Sequence, residues 1–280
     1  GEGARRFRRG GDEDDRFRRR GRSRRRSGEK VMNLVLLESA DARVFRAGTP
    51  QAEHLLRVLK VSAGSSFWCG VKNGARGIAS VSEVSPAGDV AFSVAWERPA
   101  DSPRLPPVRL LVGLSRPQTM KKVFAAAAEI GCVRIDVFRS EKGDPAYAES
   151  SLWRRGDGTL ASILEKAAEQ TCVPALPDFA LHASLAAALE AVPADLAERF
   201  ALDVYEADAA FAPAGTPPGG VAVAVGSERG WSARERAALR GNGFAFAHLG
   251  ERVLRVETAV TVALAFAGAG FRKAHRPPAA

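Results

Sequence analysis

Residues 220–266 read GVAVAVGSERGWSARERAALRGNGFAFAHLGERVLRVETAVTVALAF, and this stretch decides the fold. It holds two short apolar runs, each followed by a glycine-containing turn and then by a helical pattern. Continuous apolar runs of this length are typical of parallel strands that are buried on both faces. The turns, at 226–230 and 249–252, let the backbone approach a ligand closely, because glycine carries no Cβ. The stretch therefore predicts two strand-turn-helix units with a candidate ligand loop in each.

The same alternation of strand and helix patterns extends upstream of this stretch. The predicted elements are a strand at Val108–Leu114, a helix at Gln118–Ile130, a strand at Val133–Phe138, helices at Gly158–Thr171 and Ser184–Ala191, and a strand at Phe200–Tyr205. Such alternation indicates an α/β domain whose mostly parallel sheet is covered by helices on both faces. Ligands in such sheets bind beyond the carboxyl ends of the strands, where both glycine turns fall.

The N-terminal part has a different texture, with short β-type runs separated by turn residues. The predicted strands are Leu34–Leu37, Ser66–Gly70, Ile78–Val84 and Val90–Trp96, with a helix at Pro50–Lys60 between the first two. This pattern predicts a small β-barrel. His54 and Arg57, on the polar side of that helix, are candidates for contacts to RNA phosphates, the alternative being ordinary solvent-exposed positions.

Composition divides the chain further. We expect a disordered Arg-rich tail at 1–30, the barrel at 31–99, a proline-rich linker at 100–107, the α/β domain at 108–272 and a disordered C-terminus at 273–280. The tail holds twelve arginines and one lysine against six acidic residues. It is either an arm that binds RNA through its guanidinium groups, a solvated tail without such a role, or a segment that precedes a start at Met32.

Several classes of function are disfavoured by composition. Cys69, Cys132 and Cys172 are widely spaced and odd in number, which favours a reduced, cytoplasmic protein over a disulfide-stabilised one. The four histidines show no paired spacing, so no metal site is expected. No apolar run approaches the about 18 residues of a membrane span, and no signal peptide or membrane association is predicted.

The second glycine turn carries charges whose purpose the pattern leaves open. In LGERVLRVETA, residues 249–259, Arg255 and Glu257 stand among apolar residues at the approach to a helix. They either pair with each other, which composition alone favours, or face a ligand. The spacing of Gly226 and Gly230 does not fit the dinucleotide fingerprint, which argues against a Rossmann dehydrogenase.

These residues form part of a longer series of motifs along the chain. The series is His54-Leu55-Leu56-Arg57-Val58-Leu59, Ser115-Arg116, Met120-Lys121-Lys122, Ala128-Glu129-Ile130-Gly131, Arg139-Ser140-Glu141, Ala167-Ala168-Glu169-Gln170, Gly226-x-Glu228-x-Gly230, and the run from Leu249 to Ala259. In this order, over about residues 32–268, it resembles the RsmE family. These are bacterial methyltransferases that modify N3 of a uridine in the RNA of the small ribosomal subunit.

The resemblance implies a fold, a cofactor and partners. The fold would be a PUA-like β-barrel followed by a SPOUT domain with a trefoil knot. The cofactor would be S-adenosyl-L-methionine, held at the interface of a homodimer, and the substrate 16S ribosomal RNA in the small subunit. The implied cofactor-binding residues are Tyr205, Glu206, Val225, Gly226, Ser227, Glu228, Gly230, Leu249, Gly250, Val253, Leu254, Arg255 and Thr258. The implied RNA-binding residues are His54, Arg57, Arg116, Lys121, Lys122 and Arg139.

Transfer of a methyl group to uridine N3 requires that negative charge on the flanking carbonyl oxygens be stabilised. Arg255 is the expected source of that stabilisation, and Glu228 or Glu257 the candidate base. The family usually has proline and glycine where this chain has Ser227 and Arg229, and an arginine where it has Val173. These departures leave open a non-catalytic RNA-binding or ribosome-assembly protein with the same fold. A SPOUT methyltransferase with another RNA target is a further alternative.

Overall fold

The structure is a computed structural model. It describes residues 34–98, 104–154, 156–207, 209–214 and 219–274, with side chains described as far as Phe271. The predicted N-terminal tail, residues 100–103 of the predicted linker and residues 275–280 of the predicted C-terminal tail lie outside these ranges. A short helix, Ala269–Ala274, extends two residues into that predicted tail.

The N-terminal part forms one open sheet of five strands. In chain order they are Leu34–Leu37 (β1), Val44–Phe45 (β2), Ser66–Val71 (β3), Arg76–Val84 (β4) and Val90–Trp96 (β5). Their order across the sheet is β1-β3-β4-β5-β2, with β1 and β3 parallel and the other pairs antiparallel. The four predicted strands are present, and the two-residue β2 is additional. Because β1 and β2 remain at opposite edges, the closed PUA-like barrel is not confirmed.

The helix predicted at Pro50–Lys60 is present over residues 50–58, as two helical segments of different kinds. An α-helix, Pro50–Glu53 (α1), begins after Thr49, whose hydroxyl oxygen accepts a hydrogen bond from the Ala52 N–H at 3.3 Å. The chain then widens into a π-helical turn at His54–Val58. This turn buries Leu55 completely in the core of the sheet. The spacing of the leucines indicates a helix but carries no signal for the wider turn.

The C-terminal part is built on a parallel sheet of seven strands. They are Val108–Gly113 (β6), Arg134–Phe138 (β7), Asp178–His182 (β8), Glu198–Leu202 (β9), Ala209–Ala210 (β10), Val221–Val225 (β11) and Ala245–His248 (β12). Their order is β10-β12-β9-β11-β6-β7-β8, and every pair is parallel. All five residues of β11 are buried at the centre of the sheet. The predicted α/β class with a parallel sheet is confirmed.

Helices cover both faces of this sheet, as predicted. They are Pro117–Ile130 (α2), Thr159–Thr171 (α3), Leu185–Glu190 (α4), Ala233–Gly241 (α5), Val256–Ala267 (α6) and Ala269–Ala274 (α7), with 3-10 turns at Pro145–Glu149 and Ser151–Trp153. Leu110 of β6 packs in a core with residues of α2, α3 and α6. Leu111, one position on, faces the opposite core, with residues of α4 and α5. Alternate side chains of one strand therefore anchor the two helical layers. Within the described ranges, no helix has the length and apolar character needed to cross a membrane.

Candidate functional site

A cavity of about 830 Å³ opens beyond the carboxyl ends of β9, β11 and β12. Its walls come from the two glycine turns, from the segment after β9 and from the first turns of α2. The predicted site residues that line it are Arg116, Lys122, Tyr205, Val225, Gly226, Ser227, Glu228, Gly230, Leu249, Gly250, Val253, Leu254, Arg255 and Glu257. Two turns that are separated in sequence thus meet at one cavity.

The first turn, Gly226 to Gly230, is tight and well packed. The Gly230 N–H donates to the Ser227 carbonyl oxygen at 2.8 Å, and Gly230 has a left-handed φ of +68°. Arg229 has no such conformation, so a side chain at this position leaves the turn intact. Ser227 is buried, with its hydroxyl 3.3 Å from that of Ser140. The backbone of this turn accommodates both departures from the family pattern.

The end of β6 packs directly against the backbone of the first turn. A Cβ on Gly113 would lie 2.4 Å from the Ser227 nitrogen and 2.9 Å from the Gly226 carbonyl carbon. Both distances are shorter than any ordinary van der Waals contact, so only glycine fits here. On the other side, the Trp231 indole N–H donates to the Leu202 carbonyl oxygen at 2.9 Å. The turn is therefore fixed between strand β6 and a buried tryptophan.

The second turn leads into α6 and carries exposed arginines. Gly250 has a φ of +99°, and its N–H donates to Nδ1 of His248 at 3.1 Å. Arg255 is the residue that precedes α6, and its side chain is exposed. Together with Arg252 and Arg229 it lines the cavity without forming a side-chain hydrogen bond or an ion pair with any described residue. These three guanidinium groups are available to an anionic ligand.

The two glutamates of the site are held by α2. Glu228 accepts a hydrogen bond from the Thr119 hydroxyl at 2.9 Å, and its other carboxylate oxygen lies 3.8 Å from Arg116. Glu257 pairs with the Lys122 ammonium group at 3.3 Å. The main-chain N–H of Glu257 and the neighbouring Lys122 lower the pKa of this carboxyl. Glu257 is therefore ionised at neutral pH.

The pairing of Arg255 with Glu257, which composition favoured, is wrong. Lys122 takes that place because α2 packs against α6 and brings its exposed side chain to Glu257. Arg255 acts on Glu257 only through its longer-range positive charge, which contributes to the lowered pKa. The ion pair between Lys122 and Glu257 could not be predicted from local sequence, because the two residues are 135 positions apart.

An ion pair in the segment after β9, which forms part of the cavity wall, was not predicted from the sequence. Asp203, directly after β9, accepts from Arg236 Nε at 2.6 Å and from the Tyr205 N–H at 2.8 Å. Both Asp203 and Arg236 line the cavity. Glu206 is not among the residues that line the cavity, and it pairs with Arg236 at 3.3 Å and with Arg240 at 2.5 Å. The only available signal was an aspartate at the carboxyl end of a strand pattern.

Other residues that the resemblance implied lie outside the cavity. Thr258 is exposed on α6, and Lys121 is exposed on α2. Arg57 pairs with Glu53 at 2.6 Å and Arg139 with Glu149 at 3.7 Å, while His54 is half-buried in the π-helical turn. Their binding roles stay predictions. Over the described ranges, no group of three metal-binding side chains comes together.

Comparison with known proteins connects this site to one family. Residues 102–268 match the family model of an RNA methyltransferase domain. "Ribosomal RNA small subunit methyltransferase E" from Treponema pallidum is 29% identical over 258 residues, which cover 88% of this chain and 96% of that protein. The protein of the same name from Synechocystis is 28% identical over 228 residues, 78% of this chain and 70% of that protein.

Solved structures show the same fold. A ribosomal RNA small subunit methyltransferase E from Neisseria gonorrhoeae, bound to S-adenosyl methionine, superposes with a TM-score of 0.69 at 20% identity, covering 87% of this chain and 98% of that one. A putative methyltransferase from Legionella pneumophila, in complex with the same cofactor, gives 0.67 at 21% identity, covering 86% and 97%. The family model spans more than half of the chain and all but the last residues of the parallel-sheet part described above. This chain therefore belongs to the RNA methyltransferase family, and its resemblance to the RsmE proteins is confirmed.

Proposed function

We propose that the chain is an S-adenosyl-L-methionine-dependent methyltransferase that modifies N3 of a uridine in 16S ribosomal RNA of the small subunit. The observation that carries this proposal is the meeting of two glycine turns at one cavity within the matched domain. The names of the relatives support the substrate, and the neighbours that bind S-adenosyl methionine support the cofactor.

The residues at the cavity fit such a cofactor. The volume of about 830 Å³ lies within the about 300–1,000 Å³ that small-molecule sites usually occupy. Apolar side chains such as Leu202, Leu249 and Leu254 suit the adenine ring, and Glu228 and Glu257 suit a positive charge. When bound, the cofactor supplies a methyl group activated by a sulfonium.

The chain's own residues then orient the uracil and stabilise its charge. Removal of the N3 proton leaves negative charge on the two flanking carbonyl oxygens, and an unpaired guanidinium stabilises it by hydrogen bonding. Arg255 is suited to this role, because it lines the cavity, is exposed, and has no ion-pair partner among the described residues. Glu228 is the stronger candidate base. Glu257, ionised and paired with Lys122, serves to position the ammonium group.

Further parts of the proposal rest on the resemblance. We propose that the domain has the SPOUT trefoil knot, that the N-terminal sheet contributes a PUA-like RNA-binding surface, and that a homodimer in the cytoplasm is the working form. Light scattering of the purified protein tests the dimer, for which a monomer mass at micromolar concentration is the contrary result. Disruption of the gene and mapping of the modified ribosomal RNA by mass spectrometry tests the reaction.

Arg255→Ala tests the catalytic assignment. We expect the methylation rate of small subunits to fall about 100- to 1,000-fold, as for the loss of one charge-stabilising donor. Arg234→Ala is the control, because Arg234 is highly exposed and lies outside the cavity. If Arg255→Ala retained the parent rate, the assignment would be wrong.

Calorimetry with S-adenosyl-L-methionine separates the remaining alternatives. A measurable heat of binding supports the enzyme, whereas no heat at high protein concentration favours a non-catalytic RNA-binding or assembly protein. A modified nucleotide other than N3-methyluridine would point to another RNA target.

A further inference from the structure

A second, smaller cavity of about 220 Å³ lies on the other side of the first glycine turn. Arg116, Ser227, Glu228 and Arg229 line both cavities, so the turn is the wall between them. The remaining lining comes from the end of β6 and from the segment 142–147 after β7. This volume is below the range of a whole small-molecule site, and it suits one chemical group of a larger ligand.

The charged groups around this cavity are unbalanced. Its two acidic side chains already have partners, since Asp144 accepts from the Ala146 N–H at 3.0 Å and Glu228 from the Thr119 hydroxyl at 2.9 Å. In contrast, Lys142 and Arg229 form no hydrogen bond or ion pair with any described residue. Two cations without partners among the described residues therefore line a pocket whose acidic side chains already accept hydrogen bonds.

The Tyr147 hydroxyl adds a neutral hydrogen-bond donor to the two cations. Arg116 Nε donates to the Tyr147 hydroxyl oxygen at 3.2 Å, which leaves the Tyr147 O–H free to donate into the cavity. A tetrahedral anion with several acceptor oxygens satisfies such a group of donors, and the phosphate groups of nucleic acid are the anions most often bound in this way.

The walls that carry these groups are fixed in place. The Ser227 hydroxyl lies 3.3 Å from Ser140, and Glu141 is tied to α5 through Ser232 at 2.6 Å and through the Glu235 carboxylate at 3.0 Å. These hydrogen bonds connect the segment after β7 to the glycine turn and to α5. Ordering that precedes binding lowers the entropic cost of binding a ligand.

We propose that this second cavity binds a backbone phosphate of the RNA strand next to the target nucleotide, with Lys142 and Arg229 as its main ligands. This inference rests on the proposed RNA methyltransferase function and adds a substrate-positioning site to it. The turn Gly226 to Gly230 then has two functions, one on each side. It forms a wall of the methyl-donor cavity and also presents Arg229 to the RNA.

The test is the salt dependence of RNA binding without the methyl donor. Small ribosomal subunits from cells that lack this protein are bound to the parent chain and to Lys142→Gln, Arg229→Gln and the double variant. Because Lys142 and Arg229 share one phosphate, the double variant is expected to reduce the slope of log K against log salt by about 0.7–0.9, and each single variant by part of that. Lys166→Gln, which removes an exposed lysine of α3 outside both cavities, is the matched control and keeps the parent slope.

The results distinguish failure of the phosphate site from failure of the proposed methyltransferase function. A parent protein that binds and methylates small subunits, together with an unchanged slope in the double variant, overturns the phosphate site alone. A Lys142→Gln variant that loses affinity for S-adenosyl-L-methionine with an unchanged RNA slope also overturns it, and assigns the cavity to the cofactor's carboxylate. A parent protein that binds no small subunits refutes the proposed function as well.

Discussion

Replacement of Gly113 by alanine is expected to deform the first glycine turn without touching any functional side chain. The added methyl group would lie 2.4 Å from the Ser227 nitrogen and 2.9 Å from the Gly226 carbonyl carbon. Both atoms belong to the backbone, so no side-chain rotation can relieve the clash. Since carbon atoms pack at about 3.5–4.0 Å, the turn must move by about 1 Å.

The expected loss of stability follows from this displacement. Insertion of a methyl group into a well-packed site costs about 1–3 kcal/mol of unfolding free energy. In a chain of this size each kcal/mol corresponds to about 2–4 °C, so the midpoint of thermal unfolding should fall by about 2–12 °C. If the turn binds the cofactor as proposed, the affinity for S-adenosyl-L-methionine should fall as well.

Differential scanning calorimetry measures the stability and titration calorimetry the affinity. Gly241→Ala is the matched control, because a Cβ at Gly241, the last residue of α5, meets nothing within 4 Å. It should melt at or slightly above the parent temperature. A Gly113→Ala protein with the parent melting temperature and the parent cofactor affinity would show that the turn is not fixed by β6.

Three further outcomes are expected. Asp136→Asn should lower the free energy of unfolding by about 3–5 kcal/mol in urea titrations, because this buried carboxylate contacts two arginines and a histidine within 2.6–3.2 Å. No loss would mean that these ion pairs contribute nothing net. Trp231→Phe keeps an aromatic ring against Phe138 but removes the indole N–H that donates to the Leu202 carbonyl oxygen. Leaving this buried carbonyl unpaired should lower the free energy of unfolding by about 1–3 kcal/mol in the same assay. A smaller loss would imply that water replaces the donor. Burial raises the pKa of the Cys69 and Cys132 thiols to about 12, so a disulfide reagent at pH 8 should modify at most Cys172 in the native protein and all three after unfolding. Rapid native labelling of two thiols would contradict this.

The parallel sheet was predictable where strands are buried on both faces. The runs of β6 and β11 are continuous and apolar, so pattern alone placed them within a residue or two. In contrast β8, with sequence DFALH, escaped prediction. Among the described residues it pairs only with β7, as an edge strand, and its first two residues are exposed, so it lacks the signal of a buried strand.

The turns of the site could be predicted from the sequence, but the contacts between its side chains could not. Glycine-bearing turns at strand ends are local signals, and they line the cavity as expected. The partners of the glutamates are not local. Glu228 and Thr119 are separated by 109 positions, and they meet only because β11 and β6 lie side by side. The resemblance assigned Lys122 to RNA, and this role stays a prediction; the contact of Lys122 with Glu257 was not predicted.

The central position of β11 has a consequence for the synthesis of the protein. This strand separates β6 from β9, although it follows both of them by many residues in the chain. A nascent chain that has not reached residue 221 leaves one edge of β6 and both edges of β9 without a neighbour. Unpaired apolar edges promote association between chains. Folding of this domain is therefore expected to wait until residues 221–225 have been synthesised, and products that terminate before them should depend on chaperones to stay in solution.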